Sequence, residues 1–145
     1  MKVNECMSHN VMWVNPETPI YDCANIMAEH KIGCVPVCND KQNVVGLVTD
    51  RDILLRAFCC EKDAKATPVS EIMSTNIYCC ASNDPITTAE KIMSENQIRR
   101  LPVIDNNKIV GILSIGDIGR NSYSNKQNYA ITMENICKCG NKNEQ

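Results

Sequence analysis

The strongest constraint on this chain is that much of it is written twice. Val3-Asn4-Glu5-Cys6-Met7-Ser8 returns as Val69-Ser70-Glu71-Ile72-Met73-Ser74, Pro19-Ile20 as Pro85-Ile86, and Val35-Pro36-Val37 as Leu101-Pro102-Val103. These pairs lie 66 residues apart. Further on the spacing is 65: Val44 to Thr49 matches Ile109 to Ser114, and Asp52-Ile53 matches Asp117-Ile118. Loss of one turn residue is what structurally equivalent repeats tolerate. A site in one half is therefore expected to have a counterpart in the other. At about 55 residues each repeat is marginal for folding alone, so the halves are expected to fold against each other.

Each repeat predicts the same order of elements. A short helical lead-in, with Asn4 or Ser70 as N-cap, precedes an extended segment at 11–14 or 77–80. A helix follows, capped by Thr18 or Asp84 with Pro19 or Pro85 in its first position, where a missing N–H costs nothing. Ile20, Cys23, Ala24 and Met27 give it an apolar stripe that Ile86, Ala89 and Met93 repeat. Both helices are expected to stop near residues 30 and 96. Two apolar strands come next, at 34–38 and 44–48 in one copy and 101–104 and 109–113 in the other, joined by Asn/Asp-rich turns. A second helix starts at Thr49 or Ser114. The order is strand, helix, strand, strand, helix, an α/β (α+β) fold with pseudo-two-fold symmetry. Residues 1–58 form the first repeat, 59–68 a polar linker and 69–120 the second repeat. The Asn- and Lys-rich stretch 121–145 reads as a polar, partly helical or disordered tail.

Composition narrows the function. A net charge of −2 without a long basic run argues against a nucleic-acid partner. No segment approaches the roughly 20 apolar residues of a membrane span. Polar residues from Asn4 to Asn10 interrupt any leader-like stretch, so a cytoplasmic protein is expected. Ten cysteines are many. Cys6, Cys23 and Cys38 stand where the other repeat has Ile72, Ala89 and Ile104, and read as core. Of the adjacent pairs Cys59-Cys60 and Cys79-Cys80, one member each is expected to be exposed. Cys137 and Cys139 are the metal candidates, but a lone CxC is a weak signal. Neither His9 nor His30 has a recognisable nucleophile partner, which argues against an enzyme.

The recurring polar cluster is Gly46-Leu47-Val48-Thr49-Asp50-Arg51-Asp52, mirrored by Gly111-Ile112-Leu113-Ser114-Ile115-Gly116-Asp117. A hydroxyl at a strand-to-helix junction, with a carboxylate three residues on, suits a nucleotide. Helix amides and the hydroxyl of Thr49 or Ser114 would take phosphate, and Asp52 or Asp117 a ribose. The same spacing is also an ordinary helix cap. Its recurrence at matching points, with different residues between, favours a site. Arginine suits phosphate. Arg51 has Gly116 as its counterpart, and Arg99-Arg100 stand where the first copy has Gly33-Cys34, so the two sites are expected to differ.

Over roughly residues 1–120 the chain resembles a tandem pair of cystathionine-β-synthase (CBS) domains, a Bateman module. The resemblance rests on Gly46 to Ile53, on Ile98-Arg99-Arg100-Leu101-Pro102-Val103 and on the repeat itself, and is to the small stand-alone bacterial members. It implies two βαββα repeats with clefts between them for adenosine-containing ligands: AMP, ADP, ATP, S-adenosylmethionine or NAD-type dinucleotides. Such a ligand would be regulatory, with no cofactor required. The implied site residues are Thr49, Asp52, Ser114 and Asp117, with Arg51 and Arg100 for phosphate. Val35-Pro36, Leu101-Pro102, Val11 and Ile77 would line adenine pockets. The resemblance also implies a homodimer, and a stand-alone module needs an unidentified protein partner. The alternative from another class is a cysteine-based metal- or redox-responsive protein on the same fold.

Overall fold

The two apolar runs of each repeat pair as antiparallel hairpins in the computed structural model, which describes residues 1–121 and 126–138. In the first repeat, β1 (Cys34–Cys38) pairs with β2 (Val44–Thr49), and in the second β3 (Arg100–Asp105) pairs with β4 (Lys108–Ser114). The β3–β4 turn is Asn106-Asn107, both at positive φ (51° and 64°), a conformation asparagine tolerates and two-residue hairpins require. The β1–β2 connection, residues 39–43, is one residue longer than the equivalent segment 105–108. It is held by Asn39 Oδ1, which accepts the Lys41 and Asn43 N–H groups at 3.0 Å each. The change of repeat spacing falls in this turn.

Helix α1 (Ile20–His30) precedes β1 and α3 (Ile86–Asn96) precedes β3. Both stop where expected, because Lys31 and Gln97 turn left-handed (φ 53° and 56°) and bond back to the Met27 and Met93 carbonyls. Their starts correct the expectation. Pro19 and Pro85 are the N-caps rather than the first helical residues, and neither Thr18 nor Asp84 caps by its side chain. Asp84 Oδ2 instead accepts the Ala81 N–H at 2.9 Å. The first helical N–H groups are satisfied from far along the chain, Ile20 by the Thr67 carbonyl (3.0 Å) and Ile86 by that of Met1 (2.9 Å). Asn4 and Ser70 likewise lie inside single 3-10 turns, Val3–Glu5 and Val69–Glu71, rather than capping helices. The expected leading strands shrink to single bridges, Val14 to Val37 and Cys80 to Val103.

Those long-range bonds come from an exchange of lead-ins. Two units result: Met12–Ile77, and Met1–Val11 with the chain from Tyr78 onward. Ser8 pairs with Ile112 on β4, and Ser74 pairs with Leu47 on β2. Val3, Cys6 and Met7 join the core of Ala89, Met93, Leu101, Val103 and Leu113. Val69 and Ile72 join that of Ile20, Cys23, Val35, Val37 and Val48. Glycine at the middle of β2 and β4 admits the incoming methionine. A Cβ at Gly46 would lie 2.9 Å from Met73 Cγ, and one at Gly111 2.6 Å from Met7 Sδ.

After β2 the chain enters α2 (Asp50–Asp52), which continues as a wider π-helical stretch, Ile53–Phe58. After β4 it enters α4 (Ile115–Asn121). Within the stretch read as a tail, α5 (Lys126–Cys137) is helical and packs on α3 and α4, burying Thr132 and Ile136.

Candidate functional site

Each hairpin delivers its last residue to the start of a helix. Thr49 keeps strand-like dihedrals (φ −108°, ψ 162°), so its hydroxyl turns back over the first turn of α2. Asp52 N–H donates to Thr49 Oγ1 at 3.2 Å, and Thr49 N–H donates to Asp52 Oδ2 at 2.9 Å. Ser114 and Asp117 repeat this reciprocal box at 3.1 and 2.8 Å. Both pairs therefore do cap their helices. The cap occupies one carboxylate oxygen. The other, Oδ1, faces an arginine: Arg56 Nε stands 3.8 Å from Asp52, and Arg120 pairs with Asp117. The aspartate side chains are only 13% and 12% exposed, whereas Arg56 and Arg120 are 54% and 71% exposed. Sequence reading missed both arginines. The signal was there, since they follow the aspartates by four and three residues on a helix face.

The helix amides differ between the junctions. The Asp50 and Ile115 N–H groups donate to the carbonyls of Gly33 (3.0 Å) and Arg99 (2.8 Å). Arg51 N–H donates to Asp50 Oδ1 at 2.8 Å. At Thr49 the first three helix amides are thus taken within the protein, against the expectation that they stand free for a phosphate. Ile115, in the place of Asp50, has no acceptor to offer the Gly116 N–H.

Strand register places Arg100. Directly opposite residues of an antiparallel pair share a face, with Cβ atoms about 4.5–5.5 Å apart. Arg100 lies opposite Ser114, whereas Cys34 lies opposite Thr49. Arg100 is half-buried and has no ion-pair partner among the described residues. Arg51 is exposed on α2. Val35 and Leu101 are fully buried in the cores of their units, so packing accounts for them. Pro36 and Pro102, also buried, alternate to the opposite strand face. Val11 falls in the unit of Ser114 and Ile77 in that of Thr49, both half-buried.

The cysteines divide by environment. Burial pushes the thiols of Cys23 and Cys38 up to about 11 and that of Cys80 up to about 12, with smaller contributions from Cys34 at Cys23 and from Asp84 at Cys80. Such thiols are unreactive near neutrality. Cys79 is exposed and Cys80 buried, as one of each pair was expected to be, but Cys59 and Cys60 are both exposed where the helix unwinds into the connector. Cys137 is exposed and Cys139 lies outside the described residues. Among the described residues no three His, Cys, Asp or Glu side chains converge to hold a metal ion. Nor is any described helix long and apolar enough to cross a membrane.

Residues 3–58 and 69–122 match the CBS domain family, and the chain belongs to it. It is 40% identical over 125 residues to the CBS domain-containing protein YhcV of Bacillus subtilis, covering 86% of this chain and 87% of YhcV. It is 33% identical over 116 residues to hypoxic response protein 1 of Mycobacterium tuberculosis, covering 80% and 81%. A crystal structure of hypoxic response protein I with two coordinated zinc ions superposes with a TM-score of 0.77, at 32% identity, over 83% of this chain and 98% of that one. The CBS domain pair of protein MJ0100, in complex with 5′-methylthioadenosine and S-adenosyl-L-methionine, superposes with a TM-score of 0.76, at 26% identity, over the same two shares. The matched region makes up most of both sequence relatives.

Proposed function

We propose that the chain is a regulatory module that binds adenosine-containing ligands at its two strand-to-helix junctions and passes the bound state to a protein partner. The observation that carries this reading is the duplicated carboxylate with one oxygen locked in a cap and the other held only by an exposed, displaceable arginine. The lock orients Asp52 and Asp117. A ribose diol then donates its two hydroxyls to Oδ1 as Arg120 swings into solvent, or as Arg56 leaves both Asp52 and the Ile72 carbonyl it bonds at 3.2 Å. Adenosyl ligands in the MJ0100 pair support the choice of ligand.

The two sites take different members of that class. Arg100 beside Ser114 favours a ligand with a phosphate there. Cys34 beside Thr49 and the occupied amides of α2 favour a nucleoside lacking one, with exposed Arg51 at the rim. Binding regulates only insofar as the ligand prefers one of two states of the protein or its complex. The zinc of hypoxic response protein I keeps a metal-responsive reading in view, but no described donor cluster supports it here.

Thermal shift with AMP, ADP, ATP, NADH, S-adenosylmethionine and 5′-methylthioadenosine tests the proposal. A ligand at a hundredfold excess over its Kd adds about 2.7 kcal/mol of stability and raises Tm. Arg100→Ala is expected to weaken the phosphorylated ligands and leave 5′-methylthioadenosine unchanged. No shift with any of the six removes the proposal.

A further inference from the structure

Cysteine is among the residue types most often buried, so two adjacent thiols open to solvent call for a reason. Cys59 and Cys60 are both exposed, at the point where the wide helical stretch Ile53–Phe58 ends. The turn that carries them is held by its own hydrogen bonds. Cys59 N–H donates to the Leu54 carbonyl (2.9 Å), Glu61 N–H to that of Phe58 (3.1 Å) and Lys62 N–H to that of Ala57 (3.0 Å). The Cys60 thiol donates to the Leu55 carbonyl at 3.5 Å. At the 65-residue spacing the second repeat has Ser124 and Asn125, so the repeat itself does not require sulfur there. Two thiols this close can bond to each other or to a common third atom, and the backbone decides between these. The Cys59–Cys60 peptide is trans, which sets the Cα atoms about 3.8 Å apart, short of the roughly 4.4–6.8 Å that disulfides span. A disulfide here would be strained and would have to open the turn. An atom inserted between the sulfurs relieves that strain. Structural zinc needs a cage of four ligands, and no group of three donors forms among the described residues. What fits is a soft, thiophilic centre satisfied by two thiolates.

We infer that Cys59 and Cys60 form a dithiol site for a trivalent metalloid of the arsenite class. Each sulfur replaces one hydroxyl on arsenic. Two S–H and two As–O bonds break, two As–S bonds form, and two waters leave with no change of oxidation state. The Cys60 thiol gives up its bond to the Leu55 carbonyl in the exchange. The other cysteines supply the contrast. Cys79 is exposed too, but its neighbour Cys80 is buried, with its thiol pushed up to about 12, so that pair does not chelate. The site uses neither Asp52 nor Asp117, so it stands or falls separately from nucleotide binding.

Titration of the reduced full chain with phenylarsine oxide tests the inference, because this probe exchanges its one oxygen for two sulfurs and releases one water. Calorimetry gives the affinity, tryptic peptide mass the location, and thermal melts of each variant the control for folding. Cys137 and Cys139 are the other close pair, so the titration is repeated on the Cys137→Ser/Cys139→Ser chain. One equivalent is expected on the peptide of residues 57–62 in both chains, and excess arsenite is expected to compete for it. Cys59→Ser and Cys60→Ser are each expected to weaken binding about a hundredfold, as loss of the second linked contact does. Cys79→Ser is expected to leave it unchanged. A probe that does not bind, or that settles on another peptide, overturns the inference. So do single-serine variants at Cys59 and Cys60 that bind as tightly as the unmodified chain, or arsenite that fails to compete. A chain that closes the Cys59–Cys60 disulfide in air before it takes the probe overturns the choice of occupant.

Discussion

Val3 belongs by sequence to the first repeat and by packing to the unit of the second, so Val3→Ala tests the exchange of lead-ins. Its side chain is fully buried among Ala89, Met93, Leu101, Val103 and Leu113. Truncation removes two methylene equivalents, worth about 0.8 kcal/mol each, and leaves a small cavity, for a loss of about 2 kcal/mol. That is roughly a thirtyfold rise in the population of the opened unit. Hydrogen exchange read by peptide mass gives the location as well as the size. Peptides covering 100–118 are expected to lose the most protection, while those covering 34–49 lose less. Val69→Ala is expected to give the reverse pattern. If Val3→Ala instead loosens 34–49 more than 100–118, the lead-in packs on its own repeat and the account of the units is wrong.

Gly111→Ala is expected to destabilise by about 1–3 kcal/mol in a denaturant melt, because the new methyl would meet Met7 Sδ at 2.6 Å and the Ser8 carbonyl oxygen at 2.9 Å. That carbonyl holds the Ile112 N–H and cannot yield without breaking the pairing, whereas at Gly46 the close atoms all belong to the Met73 side chain, so Gly46→Ala should cost less. The buried thiols make the fold sensitive to alkali. Folded pKa values raised to about 11 at Cys23 and about 12 at Cys80 leave their contribution intact below the unfolded value near 9, and it is lost as pH rises through the folded values. Cys23→Ala and Cys80→Val, each taking the residue the other repeat carries there, are expected to flatten stability against pH above 9 in melts, and unchanged steepness would refute the assignment.

Local rules made the hairpins and helix ends legible. All four strands came within a residue of their observed ends, because apolar, β-branched runs joined by Asn- and Asp-rich turns leave little choice. Both long helices ended as expected. Their starts did not, because the amides of Ile20 and Ile86 are satisfied by Thr67 and Met1, partners that no local pattern reveals. The exchange was hidden for a related reason. An internal repeat shows which residues are equivalent, not which copy a segment packs on. At the junctions both readings of the Thr49–Asp52 and Ser114–Asp117 spacing were visible, and the cap is real. The arginines on the second oxygens were missed because the motif was read only as far as the aspartate. Arg100 needed strand register to be placed with Ser114. Cys59 and Cys60 were misjudged because the backbone there leaves the helix, so neither thiol is turned inward.

Calorimetric titration of Asp52→Asn and Asp117→Asn beside the unmodified chain, with the adenosyl ligand that raises its Tm most, goes to the central claim. Asparagine keeps an oxygen to accept the cap N–H, so the ligand-free variants should melt close to the unmodified chain, while the paired acceptor for a ribose diol is lost. At least one variant is expected to bind about tenfold more weakly or to lose one equivalent of ligand. If both bind with the affinity and stoichiometry of the unmodified chain, the aspartates serve only as caps and the ligand site lies elsewhere.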